Sequence, residues 1–380
     1  MTVTCALDSF KGSLTSLQAG QAAAEGIRRV YPQAEIFVRP LADGGEGTME
    51  TLREGLGGEV RTVTVSGPRG GAVECPYLVL PGGAAVVELA GAAGLTLLPP
   101  SERDPMHTTT YGVGQVLRAA MAEGCRRFLV GIGGSATNDG GAGMLMALGF
   151  DLLDENGDPI PLGAAGLEKL ASVSDRHVPS ELRACRFRVA CDVDNLLCGP
   201  RGASAVFSPQ KGADPAAAER LDTLLAHFAR ITRRTFPDAD PDRPGAGAAG
   251  GVGFAFQACL GGELCPGVQL VLEETGLEGY IARSDVVITG EGRLDAQTAM
   301  GKAPAGAAAL AKRYSLPVVA LCGCLGEGAR ACRDIGIDAY FPILRRVTTP
   351  EEAMAPASAA ENLADTAEEI FRLYRSIRGE

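Results

Sequence analysis

The sequence predicts an α/β protein: a Rossmann-like parallel-sheet domain formed by both chain ends, with a second α/β domain inserted. Three observations lead there. β-Branched runs alternate with alanine-rich helical stretches. That alternation opens the chain and returns at its end. Between them, three short strand patterns separated by SGPRGG and PGG break the rhythm. The expected bounds are 1–60 with 283–380 for the first domain and 61–282 for the insert, with the active site in the cleft between them.

The elements follow from local chemistry. Thr2 to Leu7 reads as a buried strand. Thr15 and Gln18 form a capping box that opens a helix through Tyr31, with Leu17, Ala24, Ile27 and Val30 inward, and Pro32 stops it. Glu35 to Leu41 is a strand, and Thr48 to Leu56 a helix closed by Gly57 and Gly58. Val60 to Val65, Val73 to Leu80 and Ala84 to Leu89 form an antiparallel meander. A helix (Val113 to Glu123), a strand (Arg127 to Ile132), a helix (Ala142 to Leu148) and a strand (Arg186 to Ala190) follow, and Pro237 to Gly251 is a loop. The end repeats the opening: strand Asp285 to Thr289, helix Pro304 to Arg313, strands Pro317 to Leu321 and Ala339 to Ile343, and a terminal helix Pro356 to Ile377.

Composition excludes several functions. With 35 Lys+Arg against 46 Asp+Glu, the net charge is −11, the wrong sign for a nucleic-acid partner. Aromatic content of 5% without Trp leaves no stacking platform. The N-terminus lacks a basic leader, and the apolar stretch Ala84 to Leu98 is broken by Glu88, so no membrane partner is expected. Eleven scattered cysteines suggest reduced thiols in a cytoplasmic protein. Cys322 and Cys324 form only a C-x-C, and His107, His177 and His227 lie far apart, so zinc is not expected.

Glycine is the anomaly: 51 of 380 residues, about 13%, against a typical ~7%. The excess follows strands, in DSFKGS, ADGGEGT, GIGGSATNDGGAGM, CDVDN and TGEGRLDAQT. In open α/β sheets ligands bind beyond the carboxyl ends of strands. Glycine lets backbone N–H groups approach an anion, and carboxylates in the same loops hold a cation or take a proton. A metal–phosphate substrate fits that mixture. A Walker loop is absent, since Lys302 is followed by Ala303 and Ala296 replaces the first glycine. GAGAAG (Gly245 to Gly250) has no strand before it. GIGGSA does follow a strand, with Asp151 about 20 residues on, as in a dinucleotide fingerprint, but TNDGG places polar groups where its helix should pack.

Together these blocks resemble the glycerate kinase family, and within it the bacterial type 1 enzymes. DSFKGSL, ADGGEGT, GIGGSATNDGGAGM, CDVDN followed by GPRGASAVFSPQKGA, and TGEGRLDAQTAMGKAP run in order from Asp8 to Pro304. The resemblance implies ATP-dependent phosphorylation of D-glycerate with Mg2+ on a two-domain α/β fold, and leans towards 2-phosphoglycerate as product.

Phosphoryl transfer needs positioning and charge stabilisation. Asp192 is the candidate base, with Lys302 and Asp8 as further catalytic candidates. Candidates for substrate and phosphate binding are Ser9, Lys11, Gly44, Gly45, Gly47, Gly133, Gly134, Ser135, Thr137, Asn138, Arg293 and Gln297. Asp194, Asn195, Asp43, Glu46, Asp139, Glu291 and Asp295 are the metal candidates. The glycerate carboxylate needs a cation, for which Arg293, Lys11 and Lys302 compete. His107 is either a donor in the site or part of a helix start capped by Thr110, and Lys211 is either catalytic or a surface residue. Two other functions stand as alternatives: an NAD(P)-dependent oxidoreductase using GIGGSA, and a non-catalytic binder of a small acid.

Overall fold

Parallel strands buried on both faces carry no charged face, and TVTCAL, which alternates threonine with apolar residues before Cys5-Ala6-Leu7, has none. In the computed structural model, which describes residues 1–45 and 47–379, it forms β1 (Thr2–Leu7). Among the described residues the next strands are β2 (Glu35–Val38), β3 (Glu59–Ser66), β4 (Ala72–Val79), β5 (Ala84–Glu88), β6 (Arg127–Gly131) and β7 (Asp151–Leu153). Then come β8 (Ser172–Ser174), β9 (Arg186–Ala190), β10 (Glu263–Cys265), β11 (Val286–Leu294), β12 (Val318–Leu325) and β13 (Ala339–Pro342). The chain forms two compact units. Met1–Asp43, Glu50–Leu56 and Val268–Glu380 make the first, and Gly44–Met49 with Gly57–Gly267 the second. The α/β class read from the sequence is the class observed.

The first unit holds a five-stranded sheet, β13-β12-β11-β1-β2, in which every pairing is parallel. Strand alternation sends Val3, Cys5 and Leu7 to one face, where they pack with Ile27, Leu363 and Phe371. Ala6, Val287 and Ala320 face the other way, towards Leu277, Ala307 and Ala311. Helix Ser16–Val30 starts as expected: Thr15 Oγ1 accepts from Gln18 N at 3.3 Å, and Gln18 Oε1 from Thr15 N at 2.9 Å. Leu17 is only half-buried, while Ala24, Ile27 and Val30 are buried. β11 and β12 run past their expected ends at Thr289 and Leu321, pairing Glu291 with Cys322 and Arg293 with Cys324. Gly290 permits this. A Cβ there would stand 1.9 Å from the Leu321 carbonyl oxygen, so only glycine lets the strands stay together.

The second unit carries a mixed sheet, β10-β9-β6-β5-β4-β3. The meander β3-β4-β5 is antiparallel as expected, while β5, β6, β9 and β10 are parallel. Phe128 and Phe187 stack in its core with centroids 5.0 Å apart. Helix Pro215–Thr232 is absent from the expected elements, although it has a clear start: Asp214 accepts from Ala217 N at 2.8 Å and Pro215 is its first residue. The expected loop holds to Gly247, after which helix Ala248–Cys259 opens through a left-handed stretch at Ala249 (φ 53°), Gly250 and Gly251. Among the described residues no helix is long and apolar enough to cross a membrane. All eleven cysteines are free thiols.

Candidate active site

In the first unit the chain leaves β1 at Asp8, whose N–H donates to Gly290 O at 2.8 Å, and then folds tightly on itself. Phe10 and Leu14 exchange two backbone hydrogen bonds of 2.9 and 3.0 Å, which holds Ser9 and Lys11 beside the strand end. β11 brings Glu291 and Arg293 to the same end, so these two lie on the strand itself and not in the loop after it. Asp295 then caps the short helix Ala296–Ala299, accepting from Gln297 N at 2.9 Å and Thr298 N at 3.4 Å. Thr298 Oγ1 donates to Glu291 Oε1 at 2.5 Å, which fixes that carboxylate. Lys302 stands at the N-terminus of helix Ala303–Arg313 with its Nζ 3.9 Å from Glu291 Oε2.

These groups surround a cavity of about 790 Å³. Asp8, Ser9, Lys11, Asp43, Glu291, Arg293, Asp295, Gln297 and Lys302 form its polar wall, and Ile343, Leu344, Met354 and Ala359 its apolar wall. Burial pushes the Asp8 carboxyl up to about 6, and the nearby charges of Asp43 and Glu291 add to the rise against the Ser9 N–H bond. Burial also raises Glu291, opposed by the Thr298 hydroxyl and Lys302. Arg293 Nε lies 3.5 Å from Asp295 Oδ2. The apolar wall comes from the segment after β13 and from the C-terminal helices, and no motif marked it.

The second unit has a smaller hollow of about 220 Å³ at the ends of β6 and β9, lined by Gly44, Gly45, Gly133, Gly134, Ser135, Asp192 and Lys211. Gly44 has φ +87°, and a Cβ there would meet Gly267 Cα at 2.2 Å, so the turn closes only on glycine. Asp192 is exposed and oriented by the Gly267 N–H, which donates to its Oδ1 at 2.9 Å. Lys211 is no surface residue: it is 2% exposed, with Nζ 2.7 Å from Ser135 Oγ and 2.6 Å from Thr137 O.

Several expected site residues line neither hollow. Asp139 is fully buried and accepts from Thr110 N (2.9 Å), Gly141 N (3.0 Å), Gly143 N (3.3 Å) and Thr110 Oγ1 (2.9 Å). This departs from the metal role expected of it, because its oxygens are engaged in fixing a turn. Thr110 correspondingly serves Asp139 and accepts from Met144 N at 2.9 Å, and makes no side-chain cap on its own helix. Thr137 and Asn138 are buried beneath the loop, and Asn138 Nδ2 donates to Ser204 Oγ at 3.0 Å. Asn195 Nδ2 donates to Arg201 O at 2.8 Å, while Asp194 is exposed outside the hollow. Gly47 is exposed with open space around it, and Glu46 lies outside the described residues. His107 is exposed and paired with Asp104 at 2.6 Å. The GIGGSA loop delivers no helix N-terminus, since the next helix starts only at Ala142. Among the described residues no three His, Cys, Asp or Glu side chains form a group able to hold a metal ion.

Comparison with known proteins agrees with these blocks. The model of the glycerate kinase family matches residues 3–375. A glycerate kinase of Halalkalibacterium halodurans is 46% identical over 369 residues, covering 96% of this chain and 97% of its own. The glycerate 2-kinase of Escherichia coli K12 is 41% identical over 372 residues, covering 96% and 98%. A crystal structure of a Salmonella typhimurium LT2 protein, described provisionally as glycerate kinase 2, superimposes with a TM-score of 0.90 at 42% identity, covering 100% of this chain and 99% of that one. With the family match spanning almost its whole length, this chain is a kinase that belongs to the glycerate kinase family.

Proposed function

We propose that the protein transfers the γ-phosphoryl group of ATP to D-glycerate, giving 2-phosphoglycerate and ADP, in the cytoplasm. The observation that carries this is the first unit's cavity, where Asp8, Asp43 and Glu291 share one strand-end space with Lys11, Arg293 and Lys302. Cations suit phosphate oxygens, while the Asp43 and Glu291 charges that add to the rise of Asp8 crowd the space with negative charge and call for a metal. Mg2+ keeps several waters and binds through one or two carboxylates plus substrate phosphates, so the lack of a larger protein ligand group among the described residues suits it. Asp43 and Glu291 would hold it. When bound, the ion neutralises charge on the phosphate oxygens.

In the proposed step the glycerate hydroxyl oxygen bonds to the γ-phosphorus as the bond to the bridging oxygen breaks, and that electron pair leaves with ADP. The hydroxyl proton passes to the Asp192 carboxylate, which the Gly267 N–H already holds in place. Lys302 stabilises charge on the transferred group, and Asp8 with Lys11 positions substrate. The reading keeps the domain arrangement expected from sequence, with the middle segment inserted into a domain formed by both chain ends. The test is phosphorus NMR of a reaction with D-glycerate and ATP: a phosphate on the 2-oxygen is expected. Asp192→Asn should lower kcat about 10²–10⁴-fold with the fold intact, and a kcat near the parent value would remove it as the base.

A further inference from the structure

Among the described residues Lys211 is buried without a contacting acid: the two oxygens in reach of its Nζ, Ser135 Oγ and the Thr137 carbonyl, are neutral. A buried ammonium is unfavourable unless a counter-charge or a full set of acceptors compensates it. An ammonium has three donors, and two are used here. Asp139 acts on it only through its charge. Ser135, itself 5% exposed, must accept from the ammonium, so its own O–H is directed elsewhere. Ser135 and Lys211 line the same hollow as Gly133 and Gly134, whose N–H groups donate to no acceptor among the described residues. The hollow thus combines two glycines with unpaired N–H groups, one hydroxyl polarised by an ammonium, and a buried positive charge that no carboxylate is seen to touch among the described residues, with the exposed Asp192 also on its wall. At about 220 Å³ it fits a small anionic group and not a whole nucleotide.

We propose that this hollow is an oxyanion-binding subsite in which Lys211 supplies the charge and Ser135 relays it, taking either the carboxylate of the acid substrate or a phosphate of the nucleotide. It rests on the kinase reading above and adds to it a cation that none of the sequence motifs ranked. Burial holds the Lys211 ammonium down to about 7, a penalty that an arriving anion offsets.

The test uses the full chain and equilibrium binding, so it does not depend on turnover. Titration calorimetry with D-glycerate alone, and separately with inorganic tripolyphosphate, is run on the parent protein, Lys211→Met and Ser135→Ala, with circular dichroism confirming each fold. Lys211→Met should weaken one probe by about 10–100-fold and leave the other within about twofold, as for loss of a charged hydrogen bond. Ser135→Ala should weaken the same probe by about 3–10-fold, and it carries the test alone if Lys211→Met does not fold. Weakened glycerate assigns the subsite to the carboxylate, and weakened tripolyphosphate assigns it to a phosphate. Unchanged affinity for both probes, or an equal loss for both, overturns the proposal. A parent protein that binds both probes yet forms no phosphoglycerate overturns the kinase reading and leaves the subsite standing.

Discussion

Both hollows lie at the carboxyl ends of strands, but their walls are made of different material. In the first unit four carboxylates and three cations reach the space on side chains. In the second, four glycines and the single carboxylate of Asp192 line the wall, with one ammonium set behind a hydroxyl. Two buried aspartates show what the difference means. Asp8 has a short Ser9 N–H bond of 2.6 Å and feels Asp43 and Glu291 nearby. Asp139 is surrounded by donors from Thr110, Gly141 and Gly143. Burial is common to both, and the supply of donors separates a poised group from a structural one.

After the Asp192 change, the largest expected effect lies in the first unit. Lys302→Ala should lower kcat by about 10²–10³-fold, with Lys302→Arg recovering part of it; steady-state rates decide, and an unchanged kcat would move charge stabilisation to another cation. Next, Asp139→Ala should lower unfolding free energy by about 2–4 kcal/mol, because several buried donors lose their acceptor. Urea unfolding checks this, and a neutral result would break the contrast with Asp8.

Asp8→Asn should act in the opposite direction. Its folded carboxyl titrates at about 6 against 3.8 for the free group, so between those values the folded state holds more protons than the unfolded. Stability therefore falls as pH rises from 3.8 through 6 and is flat above. The Asn variant should exceed the parent by about 1–3 kcal/mol at pH 7, a gap that closes as pH drops towards 4. A further pH-dependent effect concerns Lys211, lowered by burial to about 7 from 10.5. Between those values the unfolded state holds more protons, so the parent should gain on Lys211→Met by at most about 1.4 kcal/mol per pH unit as pH rises from 7. Denaturant midpoints at pH 7, 8 and 9 would measure it.

Much of this was legible in the chain because the signals are local. Alternating apolar runs marked β1, β6 and the meander, the Thr15–Gln18 box fixed a helix start, and glycine blocks marked the strand ends that line the hollows. The rest depends on partners far away in sequence. β11 continues through Glu291 only because β12 pairs with it, across a Gly290 that leaves room for Leu321. Lys211 looks like a surface lysine in SPQKG until Ser135, 76 residues earlier, is placed above it. Thr110 sits where a helix cap belongs, yet its hydroxyl serves Asp139, 29 residues on. Composition predicts none of these pairings, since tertiary contacts override local preference.

Cys324 has a practical consequence. It stands on the wall of the first unit's cavity and is exposed, whereas the other ten thiols are buried or half-buried. A fluorescent maleimide added in limiting amount would therefore label this position first, turning a native atom into a reporter whose reaction rate slows when the space beside it is filled.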